Sequence, residues 1–141
     1  MRAWLLVLAS VFLAACSAPL SGGSSDDSAK WQGTWKMVSA IAGGEQQQGD
    51  MSWVVDGDHY TIILNGQHHM DPYYIKLDHG RVDVFHHDTP AGTYGGSLKG
   101  IYKLSGDSLT VCYDLKGARY PRSFDAGVGS GQVLYQFQRT R

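Results

Sequence analysis

Beyond Trp31 the chain alternates apolar and polar residues with a period of two. Tyr60, Ile62 and Leu64 share one face of a segment, and Tyr73, Ile75 and Leu77 share another while Lys76 and Asp78 point away. Val82 and Val84 oppose Arg81 and Asp83, and Tyr102 and Leu104 oppose Lys103. Leu109, Val111 and Tyr113 oppose Thr110, Cys112 and Asp114, and Val133, Tyr135 and Phe137 oppose Gln136 and Gln138. This is the period of a strand with one face in a core. Turn signals separate the runs: Gly43-Gly44, Asp56-Gly57, Asn65-Gly66, His79-Gly80, Gly95-Gly96, Ser105-Gly106 and Lys116-Gly117. Two hairpins are nearly explicit, Val54–Tyr60 around Asp56-Gly57 and Tyr102–Leu109 around Ser105-Gly106. No window downstream of the N-terminal apolar run carries a helical stripe. The pattern predicts an all-β domain over residues 31–141, a single antiparallel sheet of roughly eight strands. Closure into a barrel removes its edges.

The N-terminus has a different character. Arg2 precedes an apolar run from Trp4 to Ala15 that is short for a bilayer span and fits a secretory signal. The run ends Leu13-Ala14-Ala15-Cys16, which resembles the lipobox of bacterial lipoproteins. The resemblance implies cleavage after residue 15 and a lipid thioether on Cys16. Membrane contact is then expected through that lipid, since several acyl chains hold a protein where one is marginal. Ser17 in place of Asp points, by the sorting rule of such proteins, to the outer membrane facing the periplasm. Residues 16–30 form the acylated Cys and a Gly/Ser-rich stretch with little to bury, expected to be a flexible tether.

Composition narrows the classes further. The chain has 141 residues, enough for one domain beyond the leader. Its net charge of −1 becomes −2 when Arg2 leaves with residues 1–15, so no nucleic-acid partner is expected. Two Cys make no disulfide scaffold, and lipid on Cys16 leaves Cys112 unpaired. An unpaired Cys is expected to be buried, whereas the strand parity turns Cys112 outward.

The opening Gly33-Thr34-Trp35-Lys36 and the closing Phe137-Gln138-Arg139 resemble the calycin superfamily of lipocalins, fatty-acid-binding proteins and avidins. The resemblance implies that Gly33, Trp35 and Arg139 close one end of the barrel, with the cation across the indole. The whole domain is similar to a small lipocalin-like domain family known mainly from planctomycete genomes, whose members have no established function. The likeness is carried by that opening, Asp71-Pro72, Val82-Asp83-Val84, Gly100-Ile101-Tyr102, Gly106-Asp107-Ser108-Leu109, Cys112 and Arg119 to Phe124. The chain has Arg119-Tyr120-Pro121 where that family shows Arg-Pro directly.

Three kinds of chemistry were open to these residues. Trp35, Tyr60, Tyr73, Tyr102, Tyr113, Tyr135 and Phe137 all fall on the inward parity, and rings with hydroxyl handles suit a small apolar or amphipathic ligand. The same rings equally suit a filled barrel, whose loops at Asp88–Leu98 and Ala126–Gln132 would grip an envelope protein, for example a secreted hydrolase. The pairs His68/His69 and His86/His87 offer imidazoles to a metal, although adjacent strand residues face opposite sides. No GxSxG, Ser/Lys or HExxH motif is present, so no enzyme and no cofactor is expected.

Overall fold

The computed structural model of the chain describes residues 25–86 and 98–140. Residues 1–24, with Cys16, residues 87–97, with His87, and residue 141 lie outside the described residues. Among the described residues no helix is long and apolar enough to cross a membrane.

The chain starts with a short helix, α1 (Ser25–Trp31), and continues in nine strands. These are β1 (Gly33–Ala42), β2 (Glu45–Gln46), β3 (Met51–Asp56), β4 (His59–Leu64), β5 (Gln67–Asp78), β6 (Arg81–His86), β7 (Leu98–Ser105), β8 (Ser108–Asp114) and β9 (Gln132–Thr140). From β3 to β9 each strand pairs antiparallel with the next, and β1 pairs with both β3 and β9. Eight strands therefore close into a barrel, and the two-residue β2 sits outside it on β1. The all-β expectation holds, with one closed antiparallel sheet.

The hairpin turns follow their residues. Asn65-Gly66 and His79-Gly80 both take positive φ at both positions, the backbone of a type I′ turn between right-twisted strands. Gly57 and Gly106 lead two-residue loops with positive φ at the first position only, at the two hairpins read from the sequence. The ladder shifts register twice. At Met37/Ser39 the shift leaves Val38 as an extra residue, which explains why an apolar side chain in β1 is exposed. Between Tyr60 and Ile62, β4 faces a longer stretch of β5 that contains Pro72, a residue with no N–H for the ladder.

The expected tether ends sooner than residue 30. Ser25–Trp31 is helical, and Trp31 closes that helix instead of opening the first strand. Seven residues with one large apolar side chain show no stripe, and a helix this short depends on tertiary contacts. Trp31 supplies them, fully buried in the core cluster with Trp35, Trp53, Tyr102 and Phe137.

Residues 115–131 cross the outer face of the barrel as a cover. Leu115 N–H donates to Gly131 O (3.0 Å), and the Asp114 carboxylate accepts from the N–H of Lys116 (3.1 Å) and Arg119 (3.3 Å). The Tyr120 ring lies 4.7 Å from both the Arg81 guanidinium and the Lys99 ammonium, and its hydroxyl reaches Asp83 at 2.8 Å. Phe124 lies 5.1 Å from Lys103, and Ala126 O accepts from Gly44 N–H at 2.7 Å. Under this cover Cys112 faces outward, as its parity requires, and is still 0% exposed. Its thiol points to Asp125 O at 3.5 Å and is free of any disulfide. The Ala126–Gln132 loop is therefore part of a packed lid over β8.

Candidate functional site

The end of the barrel next to α1 is a floor. Trp35 Nε1–H donates to Trp31 O at 2.7 Å, and Trp31 meets Tyr102 edge-on at 5.0 Å between ring centroids. The Tyr102 hydroxyl donates to the Asp27 carboxylate at 2.6 Å. Gln32 ties the floor to the β3–β4 turn by reciprocal bonds, Nε2–H to Gly57 O and Oε1 from Gly57 N–H. Arg139 lies over the Trp35 ring and donates to the carbonyls of Lys30 and Gln32. The three residues expected to close the barrel, Gly33, Trp35 and Arg139, thus meet at this end.

Above the floor Trp53 occupies the centre. Its ring centroid is 4.1 Å from Phe137, 4.8 Å from Tyr60, 5.8 Å from Tyr135 and 6.2 Å from Tyr113. Tyr73 stacks on Tyr60 at 5.4 Å. Cross-strand pairing assembles this layer: Tyr60 opposes Tyr73, and Tyr113 opposes Val133 two positions from Tyr135. Gly100 makes room for it, because a Cβ there would stand 2.6 Å from the Tyr113 ring. Several inward residues beyond this layer, Met37, Met51, Ile62, Tyr73, Leu98 and Tyr135, are only partly buried. The interior therefore grades from a sealed floor to a less covered opposite end.

The electrostatics of this layer are those of hydroxyls held out of water. Burial pushes the Tyr60 hydroxyl far up, and neighbouring Tyr73 and Tyr135 add to it. Burial likewise raises Tyr113, with Tyr60 and Tyr135 adding, and raises Tyr135. All of them stay neutral donors across the ordinary pH range. Trp53 Nε1–H is buried without a hydrogen-bond partner among the described residues, as is Trp31 Nε1–H in the floor, and the buried Tyr113 hydroxyl faces that of Tyr60. Neutral, desolvated donors among rings can bind an acceptor oxygen inside an apolar surround.

The seven aromatic residues expected to line a ligand space divide in two. Tyr60, Tyr73, Tyr113, Tyr135 and Phe137 come together around Trp53, whereas Trp35 and Tyr102 belong to the floor. Sequence reasoning missed Trp53, although Met51, Trp53 and Val55 alternate on one face of β3. It also missed Asp27 and Trp31, for which no periodic signal exists.

Of the paired histidines, His68 is exposed and opposes Ile63, and His69 opposes Ile62. The β5–β6 hairpin sets His86 opposite Tyr73, with His79 at the turn. The side chains of His69 and His86 and all of His87 lie outside the described residues. Among the described residues no three His, Cys, Asp or Glu are grouped to hold a metal.

Comparison with protein-family models, with curated proteins and with solved structures found no match to the chain.

Proposed function

We propose that the chain is a lipid-anchored envelope protein, held to the membrane through Cys16, whose barrel binds one small apolar or amphipathic molecule bearing an acceptor oxygen. The observation that carries this reading is the buried, unpartnered Trp53 Nε1–H within the tyrosine layer, beside the facing hydroxyls of Tyr60 and Tyr113. An unmet buried donor costs roughly 1–3 kcal/mol, which an acceptor on the ligand recovers. The partly buried Met37, Met51, Ile62 and Leu98 supply the apolar wall beyond. Phenol and indole donors favour a neutral carbonyl, hydroxyl or ether oxygen, since no Lys or Arg is buried among the described residues.

Titration with long-chain alcohols, fatty acids and their methyl esters, followed by tryptophan fluorescence, tests the proposal. The central position of Trp53 predicts a saturable change, weakened by Tyr113→Phe, which keeps the ring and removes the donor. A flat response across the series overturns the ligand reading. Intact-mass measurement tests the anchor separately: a diacylglycerol adduct on Cys16 supports it, and an unmodified Cys16 in protein from bacterial membranes refutes it.

A further inference from the structure

The cover formed by residues 115–131 carries a second site, on the outside of the barrel. A cleft of about 510 Å³ lies between its two limbs, lined among others by Lys116, Arg119, Arg122, Ser123, Ser130 and Asp125. Lys116, Arg119 and Arg122 are exposed, and among the described residues their side chains make no ion pair and no hydrogen bond. The two acids at the cleft are already engaged. Asp114 is 8% exposed and accepts from the N–H of Lys116 and Arg119, and Asp125 Oδ1 accepts from Gly127 N–H at 2.9 Å. Three cations without an ion pair among the described residues thus share a cleft with two carboxylates, an excess of one positive charge, and both carboxylates bond to backbone N–H groups of the loop.

The loop is held at many points. Tyr120 is clamped between Arg81 and Lys99 and bonded to Asp83, and Pro121 and Ala126 are buried. Ser130 N–H donates to Gly127 O at 3.1 Å, and Ser130 Oγ accepts from Gln132 N–H at 3.2 Å. A braced backbone with unpaired cations loses little order on binding, which is the condition for specific recognition by a loop.

We infer that this cleft binds a phosphate group. Two guanidinium forks and an ammonium match a multiply charged tetrahedral oxyanion better than a single carboxylate, and the Ser123 hydroxyl adds a donor beside them. The cleft has room for more than the bare ion and admits a phosphate ester, carried by a soluble phosphorylated molecule or by a lipid headgroup. This site lies on the outer wall and is independent of the tyrosine layer.

The test uses the full chain in nonionic detergent, with amide resonances as the readout. Inorganic phosphate and glycerol 3-phosphate are the soluble probes. Mixed micelles carrying phosphatidylglycerol with phosphatidylcholine, against phosphatidylcholine alone, are the lipid probe. Saturable shifts confined to Lys116–Ser123 and Gly129–Gln132 are expected, with affinity falling at least about tenfold in Arg119→Gln/Arg122→Gln. Lys76→Gln, an exposed cation on β5, serves as the control and should bind as the parent does. Response to glycerol 3-phosphate assigns a soluble ester. Response only to the anionic mixed micelles, lost in the double variant, assigns a headgroup. No shift with any probe, equal shifts with sodium chloride at matched ionic strength, or equal weakening by Lys76→Gln overturns the inference.

Discussion

The Arg139 guanidinium lies 4.2 Å from the centroid of the Trp35 ring, and the same group donates to the carbonyl oxygens of Lys30 and Gln32. One side chain on the last strand therefore joins the first strand to the helix before it. Arg139→Ala removes a cation–π contact and two charge-assisted hydrogen bonds, and is expected to cost roughly 2–4 kcal/mol in urea unfolding. Arg139→Lys keeps the charge without the planar fork and should recover only part of the loss. An alanine variant as stable as the parent would show that the floor does not depend on this residue.

Gly33 and Gly100 are expected to resist even alanine. Gly33 has φ +114°, and a Cβ there would lie 3.1 Å from Arg139 Nη1. A Cβ on Gly100 would lie 2.6 Å from the Tyr113 ring and 2.9 Å from Cys112 O. Each substitution should destabilise by about 1–3 kcal/mol, through backbone strain at Gly33 and overpacking at Gly100. Thermal melts would show it, and Gly100→Ala should also change tryptophan fluorescence because Tyr113 borders Trp53.

Much of this was legible beforehand, and the divide falls on periodicity. Leu109, Val111 and Tyr113 announce β8 because each second residue enters the core, and Asn65-Gly66 announces its turn because both positions need positive φ. The helix Ser25–Trp31 has a single large apolar residue and so resembles linker. The cover over Cys112 was unreadable for a related reason. Tyr120, Phe124 and Ala126 each find a separate niche on the outer wall, so their spacing follows that wall and no internal repeat. Cys112 is outward by parity and still buried, and the covering loop reconciles the two.

Alkali should unfold the domain cooperatively. Tyr60, Tyr102 and Tyr113 are all held above the ordinary tyrosine value of 10.0, first by burial. The unfolded chain then releases these protons at lower pH than the folded one. Stability is complete below about pH 10 and declines as pH rises beyond it. Tyrosinate absorbance should appear together with loss of the folded circular dichroism signal. Tyrosinate forming at these residues in a still-folded barrel would contradict the dry layer.

The Cys112 thiol, raised by burial, should be silent to Ellman's reagent in the folded protein and react once urea opens the cover. With the proposed lipid on Cys16, protein taken from membranes should release one equivalent; two equivalents would argue against the anchor. Prompt reaction without denaturant would mean that residues 115–131 open freely.

The pairing of β1 with β9, Thr34 opposite Thr140 and Ala42 opposite Val133, joins strands about a hundred residues apart. Until β9 (Gln132–Thr140) is available to pair, the sheet has two unpaired margins instead of none. Closure of the barrel must therefore wait for β9, and a chain cut before Gln132 loses the closure of the ring and the Arg139 grip on its floor together. A premature stop there is a defect of assembly, with β1 and β8 both left as templates for aggregation.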